Sequence, residues 1–123
     1  MKKPISRKAH GIAEWAYIPL TALSPELMRF KDDARPRNLA RIMAGLMLSS
    51  ALMTRSEWGL FKLLPFKGHL LGDVGVSTLS LAAPWLAKFS HDTAARNTFL
   101  FIGLTGLLIS GLLTQRKEMP VLR

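Results

Sequence analysis

The chain repeats itself at an offset of 59 residues. His10-Gly11-Ile12-Ala13-Glu14 opens one apolar stretch and His69-Leu70-Leu71-Gly72-Asp73 opens another, each placing a carboxylate four residues after a histidine. Pro25 matches Pro84 and Phe30 matches Phe89 at the same spacing. The segment Ile42 to Thr54 then aligns with Ile102 to Thr114 once a single residue is inserted. A period of this length contains two helices, so two copies predict an all-α, four-helix bundle of two tandem helical hairpins with pseudo-two-fold symmetry. The 123 residues form a single domain, 1–123, with repeat 1 at about 8–55 and repeat 2 at about 67–115.

The candidate helices run from Ala9 to Arg29, Pro36 to Arg55, Lys67 to Lys88 and Ala94 to Gln115. Each is about 20 residues long, enough to cross a hydrocarbon core about 30 Å thick. Hydrophobic residues make up 49% of a chain whose net charge is +9, and charge and apolar character are segregated. Thr98 to Thr114 carries no charge, whereas Arg29, Lys31, Asp32, Asp33, Arg35, Arg37 and Arg41 crowd the first hairpin turn. The fourth segment is apolar on every side of its wheel, which requires a large core or lipid around it, and a chain of this size has no large core. None of the four segments carries the charged stripe of a soluble bundle helix. All four are therefore expected to span a membrane, with Arg41 snorkelling toward the interface and Glu14 and Asp73 inside the first and third spans.

Lys and Arg number ten on the side of the termini and central loop, against seven on the side of the two hairpin turns. That asymmetry predicts cytoplasmic N- and C-termini in the bacterial inner (cytoplasmic) membrane. The basic N-terminus lacks a small-residue cleavage site after a compact apolar core, so the first segment is expected to be retained. With no cysteine, disulfides, zinc-thiolate sites, iron-sulfur clusters and thiol catalysis are excluded. The basic residues flank apolar segments instead of interleaving with aromatics, so no nucleic-acid partner is expected. Pro25 and Pro84 are expected to end or kink their helices before the outer loops, and Pro19 to kink the first. Gly106, Ser110 and Thr114 share a face at a spacing that suits close packing within the bundle.

Two copies of a helical hairpin, each with a histidine-carboxylate opening and a proline motif before the outer loop, resemble the SPW-repeat family of small bacterial membrane proteins. That family takes its name from a Ser-Pro-Trp motif. The chain keeps Ser24-Pro25 with Glu26 in place of tryptophan, and Pro84-Trp85 with Ala83 in place of serine. The resemblance covers about residues 8 to 114 and implies the membrane fold, but no activity.

His10 with Glu14, and His69 with Asp73, each share a helical face. The first and third helices run parallel, so both pairs fall near the same interface; if those helices touch, two imidazoles and two carboxylates converge. Such a set could ligate a divalent metal, and His10 and His69 alone could ligate a haem b. A proton or ion relay is a further use of ionisable groups within a membrane. The plainer account is a wet, interfacial hydrogen bond from each histidine to the carboxylate one turn on, with no cofactor. Six methionines are adaptable packing, and His91 beside Asp92 is a solvated turn residue. No enzymatic constellation is present. The expected function is that of a structural or accessory subunit of a larger membrane complex, partnered by lipid and other membrane subunits. A haem- or metal-binding redox protein and a small proton-coupled transporter acting as an oligomer are the alternatives.

Overall fold

Ser6 starts the first helix by accepting the Ala9 N–H on its hydroxyl at 3.1 Å. The computed structural model describes residues 3–119; Lys2 and Arg123, which entered the charge comparison, lie outside them. Helix α1 spans Arg7–Leu27, α2 Ala34–Met53, α3 Phe66–Leu86 and α4 Thr93–Gly106, and a π-helical segment, Leu107–Leu113, continues α4. The sequence places all these ends within two residues, but reads the last element as one α-helix. Helix α1 packs on α2, and α3 on α4 and the π segment; α2 also contacts α3, and α1 contacts α4. The four helices thus close a ring in chain order, with α1 and α3 on opposite corners.

The helices run two residues past Pro25 and Pro84 and end at Leu27 and Leu86, just before the outer loops. Pro25 has no N–H to give the Thr21 carbonyl, and the Ser24 hydroxyl donates to that oxygen instead, at 2.8 Å. The helix continues for two more residues, until Arg29 takes a left-handed φ of 62°. Lys88 does the same in the second repeat with φ 61°. Each reversal is closed by a hydrogen bond from Phe30 N to Pro25 O or from Phe89 N to Pro84 O, both 2.8 Å. The reversal drops Phe30 and Phe89 into the core, where Phe89 and Phe99 meet edge to face at 4.9 Å. Ser24→Ala should cost about 0.5–1.5 kcal/mol by leaving the Thr21 carbonyl without its donor. Ala83→Ser should recover part of such an amount at Pro84, as measured by unfolding in detergent.

The extra residue of the second repeat also finds its place. Asp33 and Asp92, Arg37 and Arg96, and the buried Ala40 and Phe99 all keep the offset of 59. Ser50 and Ser110, and Thr54 and Thr114, stand 60 apart. The insertion therefore lies beyond Phe99, and the wider i→i+5 turn at Leu107–Leu113 absorbs it. Below that turn the register returns to the one repeat 1 uses. The two copies end alike: Gln115 N donates to Ile5 O at 2.7 Å and Ile5 N to Leu113 O at 3.0 Å, while Arg55 N donates to Leu64 O at 2.8 Å and Leu64 N to Met53 O at 2.7 Å.

Pro65 cannot cap α3 with a side chain, and Glu118 caps it from the C-terminal segment. Its carboxylate accepts Phe66 N at 2.8 Å and Lys67 N at 3.0 Å. Burial works against the charge, but these two bonds and the Lys67 cation hold the Glu118 carboxyl below its ordinary 4.5. A carboxyl lowered on folding adds stability above its unfolded value and loses it as the pH falls through the folded one. Glu118→Gln should therefore melt below the wild type at neutral pH, with the gap closing below pH 4.5. A gap that persists unchanged at pH 3 would sink this assignment.

By length and composition, one segment among the described residues is apolar enough for a membrane span, Thr93–Leu113, and only 28% of its most apolar window is buried. The bundle of two hairpins stands as read from the sequence. Four spans do not follow from that measure, because Glu14, Asp73 and Arg41 interrupt the other helices.

Candidate functional site

The four residues singled out by the repeat meet in one place. His10 and Glu14 come from α1, His69 and Asp73 from α3, and their side chains cross the centre of the ring between diagonal helices. One ligand atom from each lies within 4.8 Å of all the others. Each histidine presents Nε2 to both carboxylates. From His69 it lies 2.6 Å from Glu14 and 3.2 Å from Asp73; from His10 it lies 3.5 Å from Glu14 and 3.2 Å from Asp73. The shortest contact therefore joins the repeats, and the expected bond from each histidine to its own helix neighbour is not the dominant one. Glu14, one methylene longer than Asp73, makes that shortest reach across the axis.

The site is buried, not wet as a shallow pair would be: His10 is 3% exposed and His69 1%. Phe66 closes it toward the start of α3, its ring stacked on His69 at 6.0 Å and edge-on to His10 at 5.7 Å. The indole of Trp58 adds a second cover, donating from Nε1 to Lys8 O at 3.0 Å. A Cβ at Gly11 would fall 2.1 Å from Trp58 Cδ1, so the indole requires glycine there in its present place. Arg7 ties the same end together by donating to both carboxylate oxygens of Glu57 at 2.9 Å and to Lys117 O at 2.7 Å. The guanidinium holds the Glu57 carboxyl below its usual range.

Behind the histidines stand residues that the sequence reading did not assign to the site. Thr114 Oγ1 lies 3.0 Å from His10 Nδ1, and Thr54 Oγ1 lies 2.9 Å from His69 Nδ1. Both hydroxyls already give their single hydrogen to helix carbonyls, Thr114 to Ile109 O and Thr54 to Ser50 O. They can therefore only accept from Nδ1, which places a hydrogen there and leaves Nε2 as the nitrogen that faces the carboxylates. Ser50 Oγ is a second oxygen 2.8 Å from His69 Nδ1, and Ser110 donates to Asp73 at 2.9 Å. The signal for these residues was present in the sequence as Ser50…Thr54 and Ser110…Thr114, two hydroxyls four apart in both copies. The small-residue face of Gly106, Ser110 and Thr114 does pack inside the bundle, against Ser77, Asp73 and His10.

Beside the tetrad a cleft of about 50 Å³ runs between α1, α3 and the π segment, lined among others by Glu14, Asp73, Tyr17, Met47, Val76 and Ser110. Tyr17 anchors its far wall by donating to Ile102 O at 2.8 Å. This space holds a few waters or a molecule of similar size. It has no slot for a haem macrocycle, and both Nε2 atoms are already occupied by carboxylate oxygens, so the haem alternative does not fit His10 and His69. Every buried side-chain nitrogen and oxygen among the described residues has a hydrogen-bond partner.

Compared with known proteins, the chain matches no family model, no curated protein and no solved structure.

Proposed function

We propose that the chain is a small integral membrane protein of the bacterial inner membrane, a four-span bundle that serves as a structural or accessory subunit of a larger membrane complex. The observation that carries this reading is the inverted placement of polarity. Leu20, Leu46, Leu71 and Phe101, one from each helix, are 57%, 54%, 73% and 66% exposed, while His10, His69, Ser80 and Thr114 are buried. Apolar residues face outward from all four helices, and lipid or partner helices are what cover such a surface. Arg41 and Glu26, both partly exposed, pair with each other, which offsets the cost of charge near the outer interface. The Ser24-Pro25 seat and the doubled hairpin are the features that support membership of the SPW-repeat family.

The absence of cysteine makes the topology directly testable. Ser90→Cys should react with an impermeant maleimide on intact spheroplasts, Leu60→Cys should react only after permeabilisation, and both should remain in the membrane through an alkaline carbonate wash. Release of the protein by carbonate rejects the membrane reading, and reversed labelling inverts the orientation. Co-purification of stoichiometric larger subunits in mild detergent is the expected result for an accessory role. Migration of the wild type as a lone chain rejects that role.

A further inference from the structure

We infer that His10, Glu14, His69 and Asp73 together bind one divalent transition-metal ion, which pins the two repeats to each other at the centre of the bundle. Two imidazole nitrogens and two carboxylate oxygens are a donor set for zinc, manganese, iron(II) or cobalt. With bonds of about 2.0–2.2 Å, neighbouring donors on such an ion stand about 3–3.5 Å apart. Three of the four N–O separations, at 3.2, 3.2 and 3.5 Å, fall in that range, and the fourth is 2.6 Å.

Hydrogen placement supports the same occupant. Two Nε2–H groups would serve only the His10–Asp73 and His69–Glu14 bonds, whereas a single ion at the centre would touch both imidazoles and both carboxylates at once. Neutral histidines, two carboxylates and a divalent cation also sum to zero charge, which suits a site closed off by Phe66 and Trp58. Outside the four donors, Thr114 and Thr54 fix the orientation of the two rings through Nδ1, and Ser110 fixes Asp73. Oriented imidazoles and hydrogen-bonded carboxylates are the arrangement that tunes metal ligands in built sites. The cleft against Glu14 and Asp73 leaves room for one further ligand, such as water, on the ion.

The test uses the full chain purified in detergent, stripped with a chelator and titrated with Co²⁺, whose visible d–d bands report coordination. One equivalent of Co²⁺ per chain, displaced by Zn²⁺, with a rise in melting temperature, is expected. Asp73→Asn should abolish the bands. Thr114→Val keeps every donor and should weaken Co²⁺ about 10- to 100-fold. A folded wild type that shows neither bands nor a metal-dependent shift in melting with Co²⁺, Zn²⁺, Mn²⁺ or Fe²⁺ overturns the assignment. A Thr114→Val variant that binds as tightly as the wild type overturns the orienting role of that hydroxyl, which would then be packing only. The titration is read on the folded chain and stands independently of the labelling experiment above.

Discussion

Replacing His69 with leucine will lower the stability of the folded chain by about 3–5 kcal/mol, the range for removing one partner from a buried charged network. The reason is local. Glu14 loses its 2.6 Å partner and Asp73 one of its two imidazoles, which leaves two carboxylates to share the single imidazole of His10. Burial does not allow water to take the place of the missing ring. In chelator-stripped protein the complementary variant, with His10, Glu14, His69 and Asp73 all changed to leucine, should be close to the wild type or more stable, by up to about 4 kcal/mol. Thr54 and Thr114 remain bonded to helix carbonyls in that variant, whereas Ser110 and Ser50 lose Asp73 and His69 and are changed to alanine with them. Equilibrium unfolding in detergent measures both. A loss below about 1 kcal/mol for His69→Leu would show that the four groups are not one network.

The seam between α3 and α4 gives the second large effect. A Cβ on Gly103 would lie 2.7 Å from Ser77 O and 2.6 Å from Leu81 Cγ. The first of these is backbone and cannot rotate aside, so Gly103→Ala should force the helices apart at a cost of about 1–3 kcal/mol. Gly72 and Gly75 lie on α3 with nothing within 4 Å of an added Cβ, and alanine there should stabilise by up to about 1 kcal/mol through helix propensity. The contrast is the test, since all three changes add the same methyl group. Equal effects at Gly103 and Gly72 would mean that α3 and α4 are not in close contact.

Much of this architecture was legible in the chain because its cause is local. The 59-residue repeat, the apolar runs and the turn residues define two hairpins, and helical periodicity places each carboxylate beside its histidine. Pro25 and Pro84 marked the helix ends to within two residues, but the rescue of the Thr21 carbonyl by Ser24 depends on a side-chain rotamer that spacing does not reveal. The place of the insertion was legible only in part, since the alignment sets it before Ile102 and the wider turn begins at Leu107. Sequence alignment weighs letters such as Ile42 and Ile102, whereas the structure places the extra residue where a wider turn can absorb it without moving Ser110 and Thr114 out of register.

What the sequence determined by itself is the pairing of residues four apart and the doubling of that pair, since both follow from chain geometry within a single helix. Which histidine faces which carboxylate was decided only by the tertiary structure. That depends on α1 and α3 taking opposite corners of the ring, and on Glu14 reaching past its own helix neighbour to His69. Burial was decided there too, because the Phe66 and Trp58 covers approach the site from segments that are remote from His10 in the chain.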